Sequence, residues 1–209
     1  MNGCVQKDQV CYETRVLTEI AKKELQPESI LKIFSPLERL LIDIFFERKS
    51  AIGLRRIRNE TIKRLYFTVI KTALSVNNEH SLANKIVVFS SANEMVQDSL
   101  ESSGLFAINK VLKDIRTKLL TNEYKATGTD IEEIEQVLVA NKLMKIPGFS
   151  TIKNAIHHLE IQGIIISIVT ENFKTDRLYT LSPVFDSYLR EKNYYSFTTS
   201  AISKASPAK

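Results

Sequence analysis

The stretch Ser150-Thr151-Ile152-Lys153-Asn154-Ala155-Ile156-His157-His158-Leu159-Glu160-Ile161-Gln162-Gly163-Ile164-Ile165 decides how this chain is read. Ile152, Ala155, Ile156 and Leu159 recur at the spacing of one helix face, which makes the segment an amphipathic helix. Ser150 or Thr151 is expected to cap it, because either hydroxyl can accept a backbone N–H of the first turn. Gly163 is expected to end it, since glycine enters the left-handed conformation with no Cβ to clash. Lys153, Asn154, His157 and His158 are left pointing away from the apolar stripe.

Beyond the glycine, Ile164 to Val169 reads as a strand and Leu178-Tyr179-Thr180-Leu181 as a second, joined by the polar segment Thr170 to Arg177. Helix, Gly, strand, basic loop and strand, in that order, resemble the second half of a winged helix-turn-helix domain. The pattern Ser-Thr-Ile-x-x-x-Ile-x-x-Leu-Glu-x-x-Gly-Ile-Ile is similar to that of transcriptional repressors of the multiple-antibiotic-resistance class. The likeness runs from Leu105 to Leu189. A weaker likeness is to the winged region of origin-recognition and initiator proteins, whose nucleotide-binding loop has no counterpart in this chain.

This resemblance implies a mainly α fold with a small β wing (α+β), in which a helical N-terminal region precedes a winged helix-turn-helix domain. It also implies that the N-terminal part of 150–162 enters the major groove of double-stranded DNA. Ser150, Thr151, Lys153, Asn154, His157 and His158 would then reach phosphates or base edges, with Lys174 and Arg177 of the wing over the minor groove or flanking backbone. Asn154 is the expected base reader, because its amide both donates and accepts against adenine. The expected use is transcription regulation by a homodimer. One alternative is a subunit of a larger replication-initiation or chromosome-assembly complex. Another is a protein-interaction scaffold with the apolar helix Ser35 to Arg48 as its contact face. A winged fold alone does not separate these uses.

Upstream, Ser35-Pro36-Leu37-Glu38 is a strong helix start: serine caps, proline takes the first helical position and Glu38 reaches back. Leu37, Leu40, Leu41, Ile44 and Phe45 give this helix a thick apolar face, and it is expected to end near Ser50 to Gly53. Arg55 opens another helix with Ile57, Ile62, Leu65, Val69 and Leu74 inward. Arg55, Arg56, Arg58, Lys63 and Arg64 form the densest basic cluster of the chain. They are read either as a second phosphate-contacting surface or as a solvated face paired with acids such as Glu132, Glu133 and Glu135.

Ile86 to Phe89 is a strand candidate, and Ser90 to Ser103 is polar enough for one exposed helix. Helices are also expected over Glu13 to Leu25, Leu105 to Leu120, Thr129 to Val139 and Pro183 to Tyr195, the last with Val184, Phe185, Tyr188 and Leu189 inward. The expected division is a helical region 1–103, a winged domain 104–195 and a loose tail 196–209.

With 209 residues, 44% hydrophobic and 25% charged, the composition is that of a globular protein, and a net charge of +5 suits a polyanionic partner. Cys4 and Cys11 fall short of the four ligands of a structural zinc site, so no metal is expected. The six glycines are scattered singly, which leaves no place for a phosphate loop. The three histidines form no nucleophile or metal arrangement: His157 and His158 point about 100° apart on a helix. Neither catalysis nor a cofactor is therefore expected. No apolar run approaches a bilayer span and Met1 to Val10 lacks the core of a signal peptide. The expectation is an intracellular protein without a membrane partner, cytoplasmic in a prokaryote or virus and nuclear in a eukaryote.

Overall fold

Ser35 starts the first long helix by the chemistry its sequence predicts. Glu38 N–H donates to Ser35 Oγ at 3.3 Å, Ser35 N–H donates to Glu38 Oε2 at 2.8 Å, and Pro36 brings no N–H to satisfy. The computed structural model describes residues 27–99, 112, 131–140, 144–169 and 177–194. Over these residues it is mainly helical with one small antiparallel sheet. The elements are α1 (Pro27–Leu31), α2 (Pro36–Arg48), β1 (Ile52–Gly53), α3 (Leu54–Val76), α4 (His80–Ala83), α5 (Ser90–Ser99), α6 (Ile131–Ala140), α7 (Phe149–Ile161), β2 (Ile165–Val169), β3 (Arg177–Leu181) and α8 (Pro183–Glu191).

Helix α2 is the centre of the fold. Leu40, Leu41, Ile42, Ile44 and Phe45 are buried in it, and α3, α5, α7 and β3 pack around it. Its apolar face is therefore consumed by the core, and it is not the external contact face considered for a scaffold. The helix stops at Arg48 because Lys49 turns left-handed, at φ 56°, earlier than its sequence suggests.

Three residues beyond that turn lies the element hardest to see in the sequence. Ile52 pairs with Tyr179 and Gly53 with Leu178, so β1 adds an antiparallel strand to the hairpin of β2 and β3, and the sheet order is β1-β3-β2. In the hairpin Ile165 faces Leu181 and Val169 faces Arg177. The sheet thus takes a strand from before residue 104, and buried apolar residues from Ile30 to Leu189 form one cluster. A likeness confined to 105–189 leaves out both α2 and β1.

Helix α3 buries Ile57, Ile62, Leu65, Val69 and Leu74 as its periodicity predicts. Thr61 and Thr68 lie inside as well, and their hydroxyls donate back to the carbonyls of Ile57 at 2.9 Å and Arg64 at 2.7 Å, so neither buried hydroxyl is left unpaired. Helix α5 is not merely exposed: Ser91, Ala92 and Val96 are buried where it packs on α2 and α3. The strand expected at 86–89 is reduced to an isolated bridge at Phe89, although the alternation is real, with Ile86 and Val88 buried and Val87 outside. Helix α8 is capped by Ser182, whose Oγ accepts the Phe185 N–H; Phe185 and Leu189 are buried, but Val184 is exposed rather than inward.

Helix α7 buries Ile152, Ala155, Ile156 and Leu159 as expected, and Gly163 follows at φ 70°. Its cap differs. The N-cap is Gly148, the helix begins at Phe149, and Ser150 and Thr151 sit inside the first turn. The expected helices at 13–25 and 105–120, except Leu112, which is buried, lie outside the described residues, as do Lys174 and the tail 196–209. No described helix is long and apolar enough to cross a membrane.

Among the described residues three acids are buried in this core, and the sequence marks only one of them. Glu38 closes the capping box, Glu60 meets Arg48, and Asp43 has no cation as a hydrogen-bond partner among the described residues. Instead Ser91 Oγ–H donates to Asp43 Oδ2 at 2.5 Å and Tyr194 O–H donates to Oδ1 at 2.6 Å, which ties α2 to α5 and to the residues after α8. Burial pushes the Asp43 carboxyl up to about 7, against the two hydroxyl hydrogen bonds and the charge of Arg39, which pull it down.

Candidate functional site

On α7 the buried stripe leaves Ser150, Thr151, Lys153, Asn154, His157 and His158 exposed. They do not form one surface. His158 is directed at α2, where its Nδ1 lies 2.5 Å from Glu38 Oε1 and its ring meets Phe34 edge-on at 6.4 Å. His157 is the freer of the two, 72% exposed and 4.0 Å from Glu160. The turn of about 100° per residue separates these neighbours: His158 locks the helix in place while His157 remains with Thr151, Lys153 and Asn154 on the outward side.

The basic cluster of α3 is divided in the same way. Arg64 pairs with Glu47 and lies 4.7 Å from the Phe89 ring. Lys63 is 3.9 Å from Glu60, itself paired with Arg48. Arg58 reaches Glu135 of α6 at 2.5 Å and lies 4.9 Å over the ring of Phe149 at the start of α7. Arg64 and Arg58 hold helices together, Lys63 lies against an acid of its own helix, and Arg58 in particular joins α3, α6 and α7. The pairing of this cluster with an acid of 132–135 is thus realised for Arg58.

Arg55 and Arg56 remain, exposed and without a carboxylate partner among the described residues. They line a cleft of about 750 Å³ together with Lys153 of α7 and Arg177 of β3, and Asn59 and Tyr179 complete its polar wall. Four cations from three elements meet there because β1 lays the start of α3 against β3 through the pairs Ile52–Tyr179 and Gly53–Leu178. The sequence marks all four residues but divides them between two separate surfaces. The signal that joins them, Ile52–Gly53 as a strand, is too short to read locally.

Helix ends sharpen the contrast. At α2 and α8 a serine side chain caps the N-terminus and an acid lies in the first turn, Glu38 and Asp186. At α3 and α7 the N-caps are Gly53 and Gly148, with no side-chain cap and no acid in the first turn. The free N–H groups and positive dipole end of each are left for solvent or an anion. Arg55 and Arg56 even stand in the first turn of α3, where the dipole disfavours a cation by about 0.3–1 kcal/mol. Broken local rules of this kind are expected where a functional or strained site lies. No family model, no curated protein and no solved structure matches this chain.

Proposed function

We propose that this chain is a DNA-binding protein that uses α2, β1, α6, α7, β2 and β3 as a winged helix. The order of these elements, with β1-β3-β2 as the sheet, supports that reading. Helix α7 is the groove-entering helix, and the strand β3 carries Arg177 at the root of the wing. Residues 54–99, including all of α3, are then an elaboration between the first strand and α6 that packs onto the same core.

The observation that carries the reading is the convergence of Lys153, Arg177, Arg55 and Arg56 on one cleft beside the outward face of α7. Polyphosphate backbones are bound by cations that release counterions, and uncapped helix starts add backbone N–H donors to the same phosphates. Thr151, Asn154 and His157 supply edge-reading groups next to that cluster. His158, Arg58, Lys63 and Arg64 drop out as contacts and become positioning residues.

Binding to a random-sequence duplex, measured by fluorescence anisotropy against salt concentration, tests the proposal. Affinity that falls steeply with salt and weakens in Lys153→Ala and Arg177→Ala supports it. Absence of binding at low salt overturns it and leaves a protein-interaction module. If the wild-type chain binds but only Arg55→Gln and Arg56→Gln weaken it, the contact surface moves from α7 to α3.

A further inference from the structure

We propose that the cleft between α3, α7 and β3 also takes a compact phosphate polyanion, and that this ligand competes with DNA. The site itself stands on the geometry of the cleft. Its effect on DNA rests on the function proposed above.

Charge and volume both favour such a ligand. A backbone phosphodiester brings a single negative charge to any one position, and Arg55, Arg56, Lys153 and Arg177 gather four positive charges around one cavity. A phosphomonoester, pyrophosphate or triphosphate brings two to four charges in the same space, the closer match. The cleft volume of about 750 Å³ falls in the range of roughly 300–1,000 Å³ usual for small-ligand sites. Among the described residues no carboxylate lines the cleft to compete for the guanidinium groups.

The remaining lining fits such a ligand. The first-turn N–H groups of α3, left open by Gly53, add donors that suit phosphate oxygens. Asn59 donates from its amide, and Tyr179 donates from a phenol that burial and the nearby Glu160 keep protonated against the opposing charge of Arg177. Leu54 and Leu178 give an apolar floor that would carry the uncharged part of a nucleotide. Because all four cations belong both to this cleft and to the proposed DNA surface, occupancy by the anion removes them from the DNA contact.

Two sources share this chemistry: a free polyphosphate and the phosphorylated end of a nucleic-acid strand. Sodium tripolyphosphate titrated calorimetrically into the full chain at about 0.1 M salt tests the site without DNA. Saturable one-to-one binding is expected, at least about tenfold weaker in R55Q/R56Q and unchanged in K85Q, whose lysine is exposed and outside the cleft. No saturation, or equal weakening in K85Q, overturns the proposal.

A second arm compares short duplexes with and without a 5′-phosphate. Tighter binding of the phosphorylated duplex that depends on Arg55 and Arg56 assigns the site to strand ends, and equal binding assigns it to the free anion. Triphosphate binding in a chain that ignores duplex DNA would sink the DNA reading while leaving the cleft as an anion site.

Discussion

His158 Nδ1 of α7 lies 2.5 Å from Glu38 Oε1 of α2, and the same carboxylate closes the capping box with Ser35. One acid thus fixes both the start of the central helix and the seating of the outward one. Burial raises the Glu38 pKa, but the hydrogen bonds from Ser35 Oγ, His158 and Ser35 N–H, with the His158 charge, outweigh it and hold the carboxyl below its ordinary value of 4.5. A depressed carboxylate contributes stability above its unfolded pKa and loses it as pH falls through the folded one. Glu38→Gln is predicted to cost about 1 kcal/mol at pH 7 and less at pH 3. Urea denaturation at the two pH values checks this; an equal loss at both contradicts it.

Asp43 has the opposite sign. Its folded pKa is raised from 3.8 to about 7, chiefly by burial. The stability linked to it is complete below pH 3.8 and declines as pH rises through 7. The loss reaches up to about 4 kcal/mol, since each tenfold change in proton affinity is worth roughly 1.4 kcal/mol. Asp43→Asn keeps a buried group that Ser91 and Tyr194 can bond and removes the titration. The wild-type urea midpoint is expected to fall between pH 5 and pH 8 and that of the variant to stay level; parallel curves would contradict the assignment.

The two kinds of arginine on α3 separate by experiment. Arg58→Ala breaks the Glu135 pair and the Phe149 contact, both partly exposed, and is predicted to cost about 1 kcal/mol of stability. Arg56→Ala removes a cation with no carboxylate partner among the described residues and relieves the start of α3, so stability should change by less than about 0.5 kcal/mol or rise slightly. DNA affinity should fall in Arg56→Ala with the fold intact. A thermal melt beside a binding curve for each variant distinguishes them. Unfolding of Arg56→Ala, or binding unchanged by it, would contradict the division.

Gly163 shows what a sequence can carry by itself. Its φ of 70° is where an L side chain is strained, and Gly163→Ala is predicted to cost about 1–2 kcal/mol by chemical denaturation, with no loss contradicting the geometry. The stripe of α7, the hairpin and the Ser35 capping box were legible for the same reason, since each is set within a few residues of chain. The strand β1 was not, because two residues carry no periodicity and Ile52 finds Tyr179 only when the chain folds back. The strand expected at 86–89 shrinks to a single bridge at Phe89: alternation records which side chains are buried, and α5 starts at the next residue. Likewise, the basic cluster of α3 reads equally as a contact surface or as a paired face, and only tertiary packing assigns Arg64 to Glu47 and Arg58 to Glu135. Of the candidate contacts, Lys153 and Arg177 line one cleft, while His158 is claimed by Glu38 of α2, a long-range pairing that no local pattern announces.

The most direct test of the central claim is the slope of log affinity against log salt for a DNA duplex, in the wild-type chain, in Lys153→Ala/Arg177→Ala and in Arg64→Ala. Each phosphate contact contributes a slope of about 0.9, so the double variant should lower the slope by about 2. Arg64→Ala, which removes a cation paired with Glu47, should leave it unchanged. A wild-type affinity indifferent to salt, or the same decrease in slope per removed cation in Arg64→Ala, would contradict a DNA surface built from the cleft and α7.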